Sequence, residues 1–180
     1  DGFRFDLSKG FTQTQTCDNN GANCDVGGWS NYDVGRVNIW KRYYDTMMLK
    51  SPNSYAILEH FAANNEEIDL SNYGFLLWGN LNNNYSQASM GFNTDWDFSY
   101  GVHTNRGWSN PHLITYAESH DEERIAYKNV NFGNQFTSPT YNYSVKAFPN
   151  FIRRMGLVHA FMLTIPGPKM IWQFGELGYD

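Results

Sequence analysis

The sequence predicts an α/β fold in which parallel strands alternate with helices. Three observations carry this. Short apolar runs alternate with longer stretches of helical period, the pattern of parallel strands joined by crossover helices. Several of the apolar runs end in charged residues, so charge gathers at the C-terminal ends of strands. The 180 residues are 41% hydrophobic and 17% aromatic, enough for a packed core. Strand ends of one sense share a working face both in a βα barrel and in a doubly wound sheet. The pattern alone leaves both open, although no GxGxxG or Walker-type glycine loop supports a nucleotide fold.

The elements follow in order. "GFRFD" alternates aromatic and charged residues and predicts a strand with Arg4 and Asp6 on the face away from Phe3 and Phe5. Residues 10–32 read as a polar loop containing "CDNNGANCD". Cys17 and Cys24 lack zinc spacing; a local disulfide of an exported protein and two free thiols are the readings. Asp18, Asn19, Asn20 and Asp25 add oxygen donors there, without the spacing of an EF-hand.

Next, "DVGRVNIWKRYYDTMMLK" sets Val37, Trp40, Tyr44, Met47 and Met48 at helical offsets, with Asp33 as N-cap and "SPN" as the stop. "SYAILEHF" predicts a buried strand ending near Glu59, and "YGFLLWG" the next strand directly after it. Residues 80–110 suggest a short helix plus loops. "PHLITYAESHDEER" predicts a strand with its charges at the C-terminal end, followed by a polar loop. "SVKAFPNFIRRMGLVHAFMLT" places Val145, Phe148, Ile152, Met155, Val158 and Met162 on one helical face. After "PGP", "KMIWQFGE" predicts a last strand ending at Glu176.

The net charge of −5, without a Lys/Arg cluster, argues against nucleic acid or an anionic membrane surface as partner. No apolar run reaches the roughly 20 residues of a membrane span.

Asp6, Glu59 and Asp121 each fall where a predicted strand runs out. Two carboxylates flanking a glycosidic bond can hydrolyse it, one as nucleophile and one as acid/base. Arg4 supplies a fixed positive charge expected to keep Asp6 ionised. The apolar run Ala56–Ile57–Leu58 is expected to bury Glu59 partly and raise its pKa. Trp78, Trp96 and Trp108 are candidates either for sugar stacking or for the core.

These motifs resemble the alpha-amylase family, glycoside hydrolase family thirteen. "GFRFD" resembles the Gly-x-Arg-x-Asp signature of the family's fourth barrel strand, which implies Asp6 as nucleophile and Arg4 as its partner. "AILEHF" resembles the fifth-strand region and implies Glu59 as acid/base. "YAESHDEER" resembles the seventh-strand region, implying that Asp121, with His120 beside it, stabilises the transition state and binds sugar hydroxyls. Arg124 and Lys9 match positions often filled by Arg and Lys in the family, on the substrate side. "IPGPKMIWQFGELG" resembles the eighth-strand segment. The resemblance therefore implies a partial TIM (β/α)8 barrel, about strands four to eight with intervening helices, with residues 1–180 as part of one catalytic domain and no second domain. The missing half of the barrel is expected in a longer chain.

The implied substrate is an alpha-1,4-glucan such as starch, glycogen or a maltooligosaccharide, acted on by retaining hydrolysis. Transfer, as in branching enzymes or glucanotransferases, is the first alternative; a non-catalytic glycan-binding module or inactive fragment is the second. The "ITYAESHDEERIAY" wording is closest to secreted or envelope-associated proteins of Bacteroidetes-like bacteria, implying an extracellular or cell-envelope location. Gly10 stands where many members have a His, and its carbonyl is the implied donor to a Ca2+ ion; no organic cofactor is implied. The long gap from Asp6 to Glu59 departs from the family pattern, and the family's Asn-His motif of strand three has no counterpart.

Overall fold

The computed structural model describes residues 1–179. Its elements are β1 (Gly2–Phe5), α1 (Val34–Lys50), β2 (Tyr55–Leu58), α2 (Asn64–Tyr73), β3 (Leu76–Asn80), α3 (Asn82–Met90), β4 (Leu113–Tyr116), α4 (Ile125–Phe132), β5 (Gln135–Ser138), β6 (Tyr141–Ser144), α5 (Phe148–Thr164) and β7 (Lys169–Met170). Five strands form one sheet in the order β1-β2-β3-β4-β7. Pairing is parallel between β1 and β2, β2 and β3, and β4 and β7. Leu77 N–H donates to the His112 carbonyl and Leu81 N–H to the Tyr116 carbonyl. Both partners advance by the same step, so β3 and β4 are parallel too. The order runs in one sense, without the reversal that marks a doubly wound sheet.

Contacts divide the chain into two compact units, each with its own core. The first comprises Asp1–Trp78 and His103–Leu113. In it, α1 starts where the Asp33 side chain accepts from the Arg36 N–H at 3.1 Å, as the N-cap reading predicts. Val37 and Trp40 of α1 are buried against Ala56, Leu58, Leu70, Phe75 and Leu77. Trp40 meets Phe5 and Phe11 at ring distances of 5.0 and 4.8 Å.

Two parallel neighbours need a crossover, and α2 supplies it between β2 and β3. This corrects the expectation of two strands in direct succession. The helix ends at Gly74, whose φ of +130° is open only to glycine and where a Cβ would overlap the Tyr44 hydroxyl.

The second unit comprises Gly79–Val102 and the chain from Ile114 onward. Leu81, Tyr85, Ile125, Met155, Val158 and Met162 form its core. The stretch expected as a polar loop after β4 contains α4 and the antiparallel hairpin β5–β6. Helix α5 begins at Phe148 with a Pro in its first turn, so Val145, although buried, precedes it, and Phe148 is exposed. The last predicted strand is short: β7 holds only Lys169 and Met170. Phe174 turns the chain at φ 61°, and Glu176 lies in a 3-10 turn rather than at a strand end.

Candidate active site

The register of the first two strands builds the site. Phe5 lies level with Leu58, so Asp6 and Glu59 stand side by side one step past the strand ends. Glu59 N–H donates to the Phe5 carbonyl at 3.1 Å and Ser8 N–H to the Glu59 carbonyl at 2.9 Å, which continues the ladder beyond the strands. The Arg4 guanidinium then bridges both acids: Nη1 to Asp6 Oδ1 and Nη2 to Glu59 Oε2, each at 2.6 Å. It lies 4.1 Å from the centre of the buried Trp78 ring, a cation–π contact that fixes its plane.

The two carboxyl groups differ in surroundings. The Asp6 side chain is 72% exposed and that of Glu59 11%. Burial is the main effect on Glu59 and raises its pKa. The Leu7 N–H at 3.0 Å opposes this, Asp6 reinforces it and Arg4 opposes it, and the net direction is upward. The result is one open carboxylate on an arginine beside one partly buried carboxyl that holds its proton above the ordinary Glu range. Chemically, such a pair can supply a nucleophile and a proton donor to one bond.

Lys9 is turned inward: its Nζ donates to Ser30 Oγ at 3.2 Å and to the Phe61 carbonyl at 3.3 Å. Gly10 lies in the 3-10 turn Ser8–Phe11, and the atoms a side chain there would meet are carbons of Leu7 and Trp29. Among the described residues, no three His, Cys, Asp or Glu side chains converge on a metal-sized space. In the loop before α1, Cys17 and Cys24 form a disulfide. The Asp18 carboxylate there is occupied by the amides of Asn20 and Ala22 and the side chain of Asn23.

In the second unit, β4 ends at Tyr116, so Asp121 lies on a loop five residues further on rather than at the strand end itself. Its carboxylate is 3.4 Å from His120 Nε2, and both side chains are largely exposed. The His120 ring lies 5.8 Å from that of Trp172. Arg124 precedes α4 and pairs with Glu118 at 3.4 Å. Trp108 belongs to the core of the first unit, where its Nε1 donates to Asn64 Oδ1 at 2.9 Å. Trp96 is 54% exposed and borders a cavity of about 180 Å³ with Tyr85, Phe98, Arg154 and Phe161.

Sequence reasoning missed the polar groups that hold these loops. Glu122 accepts from the Ser119 N–H at 3.0 Å and from Asn80 Nδ2, and Glu118 accepts from the Ile125 N–H at 2.6 Å, capping α4. It also missed a fully buried chain of Ser8, His60, Glu66 and Arg36. One signal for the chain was present: Arg36 sits four residues before Trp40, on the apolar stripe of α1. Burial opposes ionisation of Glu66, but bonds from His60, Arg36 and the Asp33 amide outweigh it, and its pKa is lowered.

A comparison with protein-family models gives no match for this chain, and neither does a comparison with curated proteins.

Proposed function

We propose that the chain carries the catalytic strands of a retaining alpha-glucan-active glycosidase of the alpha-amylase type, built on a partial (β/α)8 barrel. The observation that carries this reading is the Arg4-bridged pair of unlike carboxyl groups at adjacent parallel strand ends. The likeness of "GFRFD", "AILEHF" and "YAESHD" to the family's motifs supports it, and the one-sense strand order agrees with a barrel wall.

In the proposed reaction an Asp6 oxygen attacks the anomeric carbon while Glu59 gives its proton to the departing glycosidic oxygen. The C–O bond to the leaving sugar breaks and a glycosyl ester forms on Asp6. Glu59, now a carboxylate, takes a proton from water as the water oxygen displaces Asp6 from the anomeric carbon. Arg4 stabilises Asp6 as it leaves and Trp78 holds the Arg4 plane; contacts to sugar hydroxyls are assigned to His120, Asp121 and Arg124 by the resemblance alone. Lys9, tied to Ser30 and Phe61, holds the loop that follows the nucleophile. The Cys17–Cys24 disulfide supports an oxidising compartment, in line with an extracellular or envelope location.

The test is trapping. A fluorinated alpha-glucosyl fluoride should add one sugar mass to the peptide holding Asp6, and Asp6→Asn should abolish both label and turnover by about 10⁴-fold or more. Azide should restore turnover to a Glu59→Ala variant on an activated substrate. Label on another carboxylate, or turnover surviving in Asp6→Asn, would overturn the assignment. Reducing-end release set against loss of iodine staining on amylose separates hydrolysis from transfer.

A further inference from the structure

The residue after Asp6 has an unusual backbone. Leu7 is bulky and half-exposed, yet it adopts φ 41°, ψ 46°, the left-handed region that non-glycine residues enter at a cost of roughly 1–2 kcal/mol. What the conformation achieves is an aim: it points the Leu7 N–H at Glu59 Oε2, 3.0 Å away.

The following residue shows what enforces it. Every polar group of Ser8 is bound. Its N–H and hydroxyl donate to the Glu59 carbonyl at 2.9 and 2.8 Å. Its own carbonyl accepts from Trp40 Nε1 at 3.1 Å. Its hydroxyl also lies 2.8 Å from His60 Nδ1. The other His60 nitrogen bonds Glu66 Oε1 at 2.8 Å, and Arg36 grips both Glu66 oxygens at 2.7 and 2.8 Å. Arg36 closes the circuit by donating to the Lys9 carbonyl at 2.7 Å. Ser8, His60, Glu66 and Arg36 are all fully buried. The turn after β1 is thus pinned on both sides, and Leu7 has no freedom to relax.

We propose that Ser8 and His60 are positioning residues: with Glu66 and Arg36 they hold Leu7 in its strained conformation so that its amide stays on the Glu59 carboxyl. The inference deepens the glycosidase reading, in which Glu59 is the acid/base, but the contact it concerns exists whether or not the chain turns over glucan. An N–H aimed at a carboxyl favours the charged form, so losing it raises the Glu59 pKa further. The other groups acting on this carboxyl are Arg4 of β1 and Asp6 just past its end, and they are unchanged by the substitutions below.

The decisive measurement is a titration of the Glu59 carboxyl carbon by NMR in the whole chain, assigned by the signal lost in Glu59→Gln. In Ser8→Ala and in His60→Gln the apparent pKa should rise by about one unit, the size expected for one hydrogen bond to a charged group. In the unsubstituted protein the Leu7 amide proton shift should follow the same titration, a readout that needs no variant to fold. A flat Leu7 amide, or a folded Ser8→Ala chain with an unmoved Glu59, overturns the proposal. The alkaline limb of kcat/KM should move upward with the titration. If the carboxyl moves and the limb does not, the positioning stands and the role of Glu59 as proton donor falls.

Discussion

At Glu59 one side chain carries two opposing demands. Its neighbours hold it in place, yet burial makes its charged form costly, so its pKa lies above that of an exposed Glu. The sign follows directly. A carboxyl raised on folding contributes stability only while it is protonated, below its unfolded pKa of about 4.5, and that contribution is lost as pH climbs through the folded value. Glu59→Gln should therefore raise the melting temperature at pH 7 by a few degrees, and the gain should shrink toward pH 4. Thermal melts at both pH values check this, and no gain at pH 7 refutes it. Stability bought by removing a proposed catalytic group is the trade-off expected of a functional site.

The residue scale also shows what the sequence could say. Arg4, Asp6 and Glu59 were legible because alternation and an apolar run fix where strand side chains point. Leu7 and Ser8 were not, because nothing in their side chains signals a left-handed turn or a buried hydroxyl.

Among the elements, α1 was read well and α2 not at all, and the contrast has a physical cause. Helix α1 faces the core with Val37 and Trp40. Helix α2, "NNEEIDLSNY", buries Glu66, Glu67 and Ser71 beside Leu70. Helical periodicity reveals apolar stripes; it does not reveal a face of buried carboxyl groups bound by Arg36, His60 and Arg106.

The start of α1 carries its own prediction. Burial would raise the pKa of Asp33, but the Thr12 hydroxyl and the amides of Arg36, Gln13 and Thr14 hold it well below the ordinary carboxylate range. A depressed pKa contributes stability above the unfolded value, and the contribution is lost as pH falls. Asp33→Asn should cost about 1–2 kcal/mol at pH 7 and flatten the loss of stability between about pH 5 and pH 2. Urea unfolding across that range checks both. An unchanged slope would mean that another carboxylate governs the acid limb.

Over the molecule as a whole, the five predicted strands all exist, and their parallel pairing and one-sense order agree with the alternation that predicted them. The hairpin β5–β6 escaped notice because its residues are almost all exposed, so no buried face imposes a pattern. The disulfide spans a separation of only seven residues in an exposed loop. Chain entropy for so short a loop gives about 2–3 kcal/mol at most. Reduction should lower stability by no more than that and leave the Glu59 titration unchanged; a moved titration would show that the loop reaches the carboxyl pair.

The composition of the first unit has one further consequence, for synthesis. Its core takes Trp108 and Leu113 from beyond an excursion of the chain into the second unit. A ribosome emits the chain in order, at roughly 5–20 residues per second. For some seconds after β3 has emerged, the nascent chain therefore holds Trp40, Phe75 and Leu77 without two of the side chains that complete their core. The Arg4–Asp6–Glu59 cluster belongs to this waiting part, beside a core that is completed only once Leu113 has emerged.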